Sequence, residues 1–211
     1  DSDHNFGCDA RDVVYRNDTL FVVGEFNQAV QSNNSILNAS HIAGYDLNTD
    51  EFFDLDGGLH TPNQSSSFGG LHAICLGENN LIYTGGDASE YDDGSDFSGV
   101  SACHPVSGWQ SVGFLPNKNF INDNIPAKIY DLTWDSNTQT LYASGFFSTA
   151  YDNDFRYLLA RFENQQWSLD PNFVYESSGE ALNRIEKIYL DPAQNRLFVG
   201  GSFLHKNLIV N

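Results

Sequence analysis

Carboxylates crowd two short stretches of this chain, ASEYDDGSDF at residues 88–97 and YDNDF at 151–155. Asp92, Asp93 and Asp96 from the first, with Asp87 and Glu90 beside them, and Asp152 and Asp154 from the second supply hard oxygen donors, the chemistry that suits calcium. The spacing is not that of an EF-hand, which needs a central glycine and a terminal bidentate glutamate. A solvated acidic surface is the plain alternative. No two carboxyls are singled out at the fixed separation glycoside hydrolysis requires. Tyr91, Phe97, Tyr151 and Phe155 stand among these acids and offer flat faces to sugar rings, or anchors for their own loops.

Other chemistries find little support. The six histidines are scattered, and Cys8, Cys75 and Cys103 form no CxxC pair or zinc spacing. Neither GxSxG, HExxH nor a phosphate-cradling glycine loop occurs. Galactose-oxidase-type copper chemistry would need a Tyr, His and Cys set that the sequence does not place. With 28 acids against 10 bases, the net charge of −18 repels nucleic acid and anionic membranes. No run of 18 apolar residues is present to span a bilayer. Sequons at Asn17, Asn33, Asn38 and Asn63 all fall in expected turns or loops, which points to glycosylation and the secretory route. Lacking any Met and any signal-like start, the chain reads as a processed or excised piece of something longer.

The elements that must hold these loops are written as a repeat. LFVVGEF (20–26), LIYTGGD (81–87), LYASGFF (141–147) and LFVGGSF (197–203) share a Leu, three residues, a Gly, one residue and a Phe, with Asp87 in the Phe position of the second. Leu20, Leu81, Leu141 and Leu197, and likewise Gly24, Gly85, Gly145 and Gly201, step by 61, 60 and 56 residues. A second apolar run precedes each motif across RNDT, GENN, DSNTQT or DPAQNR, clusters that favour tight hairpins. A third run (HIAGY, GVSAC, YLLARF) and a fourth holding Phe53, Trp109 or Trp167 follow. The expectation is an all-β chain of four-stranded antiparallel meanders stacked as the blades of a β-propeller. About three and a half blades are seen, near residues 8–60, 69–116, 127–174 and 184–211. They form an arc of a larger ring, or a small four-bladed ring if DSDHNFG supplies the missing strand. The repeat glycines are expected to serve packing, where a Cβ would clash.

These motifs, followed by HIAGYDLNTDEFFDL or RYLLARFENQQWSL, resemble the repeats of secreted kelch- or galactose-oxidase-like propellers. They are most similar to the ectodomains of fungal cortical cell-polarity, or bud-site landmark, proteins. The resemblance implies an extracellular, glycosylated module of a single-pass cell-surface protein acting as a spatial landmark, without enzymatic activity. No cofactor is expected beyond the calcium that the acidic stretches could hold. Asp87 in place of the motif Phe and missing loop glycines depart from that pattern.

Strand alternation puts the tight turns at one end of each blade and the long loops at the other, where Asn33, Asn38, Asn63 and the acidic stretches fall, with Asn17 opposite. The expected role is recognition of a protein or a cell-wall glycan. Two rivals are a secreted glycan-active hydrolase or lyase, and a filament subunit that self-associates through open blade edges such as Leu208 to Val210. Cys75 and Cys103 fall two strands apart in one sheet, too far for a disulfide. Cys8 remains to pair outside this segment.

Overall fold

Runs of β-branched and aromatic residues between Asn, Asp and Gly clusters fold as strands throughout, and no helix occurs among the described residues. The computed structural model describes residues 9–55, 59–60, 70–86, 90–91, 99–104, 108–112, 128–149, 152–176 and 183–203. Sheet one is formed by β1 (Asp9–Arg16), β2 (Thr19–Glu25), β5 (Ile42–Asp46) and β6 (Glu51–Phe53), with the small hairpin β3 (Gln28–Val30) and β4 (Ile36–Asn38) inserted after β2. After β7 (Leu59–His60), sheet two holds β8 (Leu71–Leu76), β9 (Ile82–Gly86), β11 (Val100–His104) and β12 (Gly108–Ser111), with β10 (Glu90–Tyr91) between. Sheet three holds β13 (Lys128–Asp135), β14 (Thr140–Thr149), β15 (Asp152–Glu163) and β16 (Gln166–Leu169), joined by β17 (Val174–Glu176). The pair β18 (Arg184–Asp191) and β19 (Arg196–Ser202) begins a fourth.

All pairing is antiparallel, and local turn chemistry explains it. Asn17 and Asp18 at φ 50° and 58°, and Asn164 and Gln165 at 51° and 62°, give the two-residue hairpins the positive φ values they require. The first strand of every sheet carries a bulge, at Arg11, His72, Tyr130 and Glu186. Opposite the residue before each bulge stand Gly24, Gly86, Gly145 and Gly201. A Cβ on them would lie 2.0, 2.1, 1.9 and 2.3 Å from the carbonyl oxygens of Asp9, Gly70, Lys128 and Arg184.

The second repeat is therefore Ile82 to Gly86, one residue later than the Leu81 to Gly85 alignment that the sequence pattern indicates. Leu76 pairs with Ile82, as Tyr15 pairs with Leu20, Trp134 with Leu141 and Leu190 with Leu197. Gly85 has a different packing role: its Cβ would meet Ile129 Cγ2 of sheet three at 2.5 Å. By the same register Phe52, rather than Phe53, occupies the place of Trp109 and Trp167, each paired with the third strand of its sheet.

The core lies between successive sheets. Phe21, Val23 and Ile42 of sheet one pack on Leu71, Ile74, Ile82 and Cys103 of sheet two. The opposite face of sheet two, with Ala73, Cys75, Tyr83, Val100 and Ala102, packs on Leu132, Leu141, Ala143 and Ala160 of sheet three. Leu158 and Leu159 then meet Ile185 and Ile188 of the fourth sheet. The first strands contact one another in series, β1 with β8, β8 with β13, and β13 with β18.

Hydrogen bonds repeat along this stack. The Ile74 N–H donates to Asp12 Oδ2 (3.2 Å) and the Ile188 N–H to Asp131 Oδ2 (2.7 Å), equivalent carboxylates just past their bulges reaching equivalent amides of the following sheet. Trp109 Nε1 donates to Leu55 O (2.7 Å) and Trp167 Nε1 to Val112 O (2.9 Å), again from each sheet to the one before.

Candidate functional site

Those of the expected site residues that the structure describes lie in strands and in the hairpin turns between them. Asn33 lies in the tip of the β3–β4 hairpin, exposed, its Oδ1 accepting the N–H of Ser35, the serine of its own sequon, at 2.8 Å. Asn38 ends β4, exposed and paired with Gln28. Asn17 is exposed in the β1–β2 turn at the other end of the sheet. Asn63 lies outside the described residues.

Glu90 and Tyr91 form β10, which pairs with His60 and Leu59 of β7. The connection from sheet one to sheet two is thereby tied to the loop between the second and third strands of sheet two. Asp152, Asp154 and Phe155, expected in a loop, instead lie in β15, because β14 and β15 continue as a long hairpin in which Thr149 pairs with Asp152. β17 adds to that extension, Phe155 pairing with Glu176. The hairpin continues because Phe147 is fully buried and fixes the strand beyond the repeat glycine.

Asp87, Asp92, Asp93, Asp96, Phe97 and Tyr151 lie outside the described residues, as does Cys8. Among the described residues, no three His, Cys, Asp or Glu side chains come together as metal ligands. Of the glycines that the sequence pattern aligns, Gly24, Gly85 and Gly145 are buried and Gly201 is exposed on the last strand.

Two features were not foreseen. Asp131 is a buried carboxylate between sheets three and four, bonded to the Ile188 N–H and 3.3 Å from Lys187 Nζ. Desolvation raises its pKa, partly offset by that N–H and by the ammonium. Its signal in the sequence was the repetition of Asp12 at the matching position of the first repeat. Near it Cys75 is a free, buried thiol whose pKa burial pushes up, while Cys103 lies on the opposite face of sheet two. Tyr83, stacked on Trp134 across the interface at 5.5 Å, is pushed up to about 12 by burial.

The second feature is a cleft of about 380 Å³ between sheets one and two, lined by Arg16, Phe21, Phe53, Asp54 and His104 among others. Its residues come from separate repeats, so no local motif announces it. The Arg16 guanidinium there donates to Gly77 O at 3.0 Å and so ties the two tight-turn regions together.

Comparison with known proteins adds the following. No family model matches the chain, and no curated protein matches it. Among solved structures it is similar to the extracellular domain of a B. thetaiotaomicron protein assigned as a one component system, at 15% identity with a TM-score of 0.51. That likeness covers 92% of this chain and 20% of the other, so the chain spans about a fifth of that structure's length. At such identity the likeness is one of fold, an all-β chain of consecutive antiparallel sheets, and of nothing finer.

Proposed function

We propose that this chain is an arc of a β-propeller that serves as a non-enzymatic extracellular recognition module, holding a glycan-bearing loop end toward a cell-wall glycan or protein partner. The observation that carries the ring geometry is the indole series. Trp109 and Trp167 make the same bond to the same carbonyl position one sheet back, as successive blades of a ring would. Support for an extracellular setting comes from the exposed Asn17, Asn33 and Asn38 sequons. Nucleic acid and inserted membrane are poor partners for a chain of net charge −18 without a long apolar helix among its described residues.

Recognition of neutral glycan is the favoured form. Tyr91 has its backbone in a strand pair that bridges two repeats, and tyrosine is a residue type that suits a sugar face. Calcium held by Asp92, Asp93, Asp96, Asp152 and Asp154 would brace the same end, and a role as a cell-polarity landmark follows the resemblance of the repeats. A glycan array probed with and without calcium tests this: saturable binding that Tyr91→Ala or Tyr151→Ala weakens is expected. Turnover of a polysaccharide panel, abolished by Asp92→Asn, Asp93→Asn or Asp154→Asn, would overturn the non-enzymatic reading.

A further inference from the structure

The cleft of about 380 Å³ between sheets one and two joins an apolar floor to a polar mouth. Its floor is formed by Phe21 and Cys103, buried core residues of the two facing sheets. Phe53 meets the Phe21 ring edge to face at 6.3 Å and is 37% exposed. It lies over its strand partner Gly44, where a Cβ would come within 2.1 Å of the Phe53 ring, so the glycine lets this ring lie along the sheet as one wall of the cleft. Arg16 and Asp54 also line the cleft, and the bond from Arg16 Nη2 to Gly77 O (3.0 Å) holds the guanidinium in place. The volume falls at the low end of the range for small-ligand sites, about 300–1,000 Å³. An aromatic wall beside planar polar groups suits one sugar ring, its C–H face on Phe53 and its hydroxyls toward Arg16 and Asp54.

The same cleft is lined by Asn17, the first residue of the sequon Asn17-Asp18-Thr19. Asn17 is exposed in the β1–β2 turn at φ 50°, and the Thr19 hydroxyl donates to its carbonyl oxygen at 3.4 Å. Asn33 and Asn38, in the β3–β4 hairpin, do not line the cleft. A sugar carried on the Asn17 amide is thus held by a covalent tether beside a ring that suits it, at the high effective concentration of an intramolecular contact. Resting on the reading of the chain as an extracellular glycoprotein, we infer that the first N-acetylglucosamine of a glycan on Asn17 occupies this cleft, its ring face on Phe53. The glycan then braces sheet one against sheet two, because a group that contacts the folded state and not the unfolded one adds stability.

Mass spectrometry of the chain secreted from a eukaryotic host is expected to find Asn17 glycosylated. Thermal melts are then compared in a variant that keeps Asn17 as its only sequon through Asn33→Gln, Asn38→Gln and Asn63→Gln. An endoglycosidase that leaves one N-acetylglucosamine should not move the melting midpoint. An amidase that strips the whole glycan and leaves an aspartate should lower it by about 2–4 °C. Phe53→Ala should abolish that difference. Should Phe53→Ala unsettle its own strand, nuclear Overhauser contacts between the remaining sugar and the Phe53 ring decide the matter in the unsubstituted cleft. A midpoint unmoved by stripping, absent contacts, or free N-acetylglucosamine that binds at Phe53 of the glycosylated chain overturns the inference and leaves the glycoprotein reading standing. A bare Asn17 beside glycosylated Asn33 and Asn38 does the same. Sugar at none of the three overturns the glycoprotein reading along with it.

Discussion

Asp131 shows how a single acid holds two sheets together. Its ordinary pKa is 3.8 and burial raises it, so the folded chain keeps a proton there at pH values where the unfolded chain has lost it. Stability from this group therefore grows as pH falls through the raised pKa toward the usual carboxylate range, and ionisation at neutral pH opposes folding. Asp131→Asn keeps an acceptor for the Ile188 N–H and removes the titration. At neutral pH it should melt within about 1 kcal/mol of the wild type, with the comparison shifting in favour of the wild type as the solution is acidified. Asp131→Ala leaves the amide unsatisfied and should cost about 1–3 kcal/mol at every pH. Equal losses for both variants in thermal melts would rule out the acceptor role. Neither Asp131 nor Asp12 stood out in the sequence among 28 acids, since their partners lie 57 and 62 residues away and only the bulges aim them.

Between elements, the two adjacent glycines of the second repeat separate two kinds of crowding. A Cβ on Gly86 would press on the backbone carbonyl of Gly70, which cannot move without unmaking the bulge, whereas one on Gly85 would press on the Ile129 side chain. Gly86→Ala and Gly85→Ala should each destabilise by about 1–3 kcal/mol. Adding Ile129→Ala should recover part of the Gly85→Ala loss and none of the Gly86→Ala loss, and a double-mutant cycle with additive energies at Gly85 would contradict the packing. The indoles offer a parallel case. Trp109→Phe or Trp167→Phe removes one inter-sheet donor and should lower stability by about 1 kcal/mol, as read from urea midpoints. Strand existence, hairpin turns and four-stranded order were legible because apolar runs and Asn-rich clusters alternate. The phase of the second repeat was not. Sheet two is buried on both faces, with β9 buried at every residue, so the alternation that reveals register is absent. Its 1–2 connection, five residues against two in sheet one, also displaces the motif. The acidic stretch 152–155 is strand where a loop was expected, because polar composition marks solvent contact as readily as a turn.

For the molecule as a whole, a stack in which each sheet touches only its neighbours divides stability unevenly along the chain. β2 and β9 both sit inside their sheets, yet β9 is buried at every residue while β2 alternates buried with half-buried ones. Amide exchange in the dilute monomer should therefore be slower in β9 than in β2, and slower in β14 than in β19. Equal protection in β9 and β2, or in β14 and β19, would contradict that division of stability.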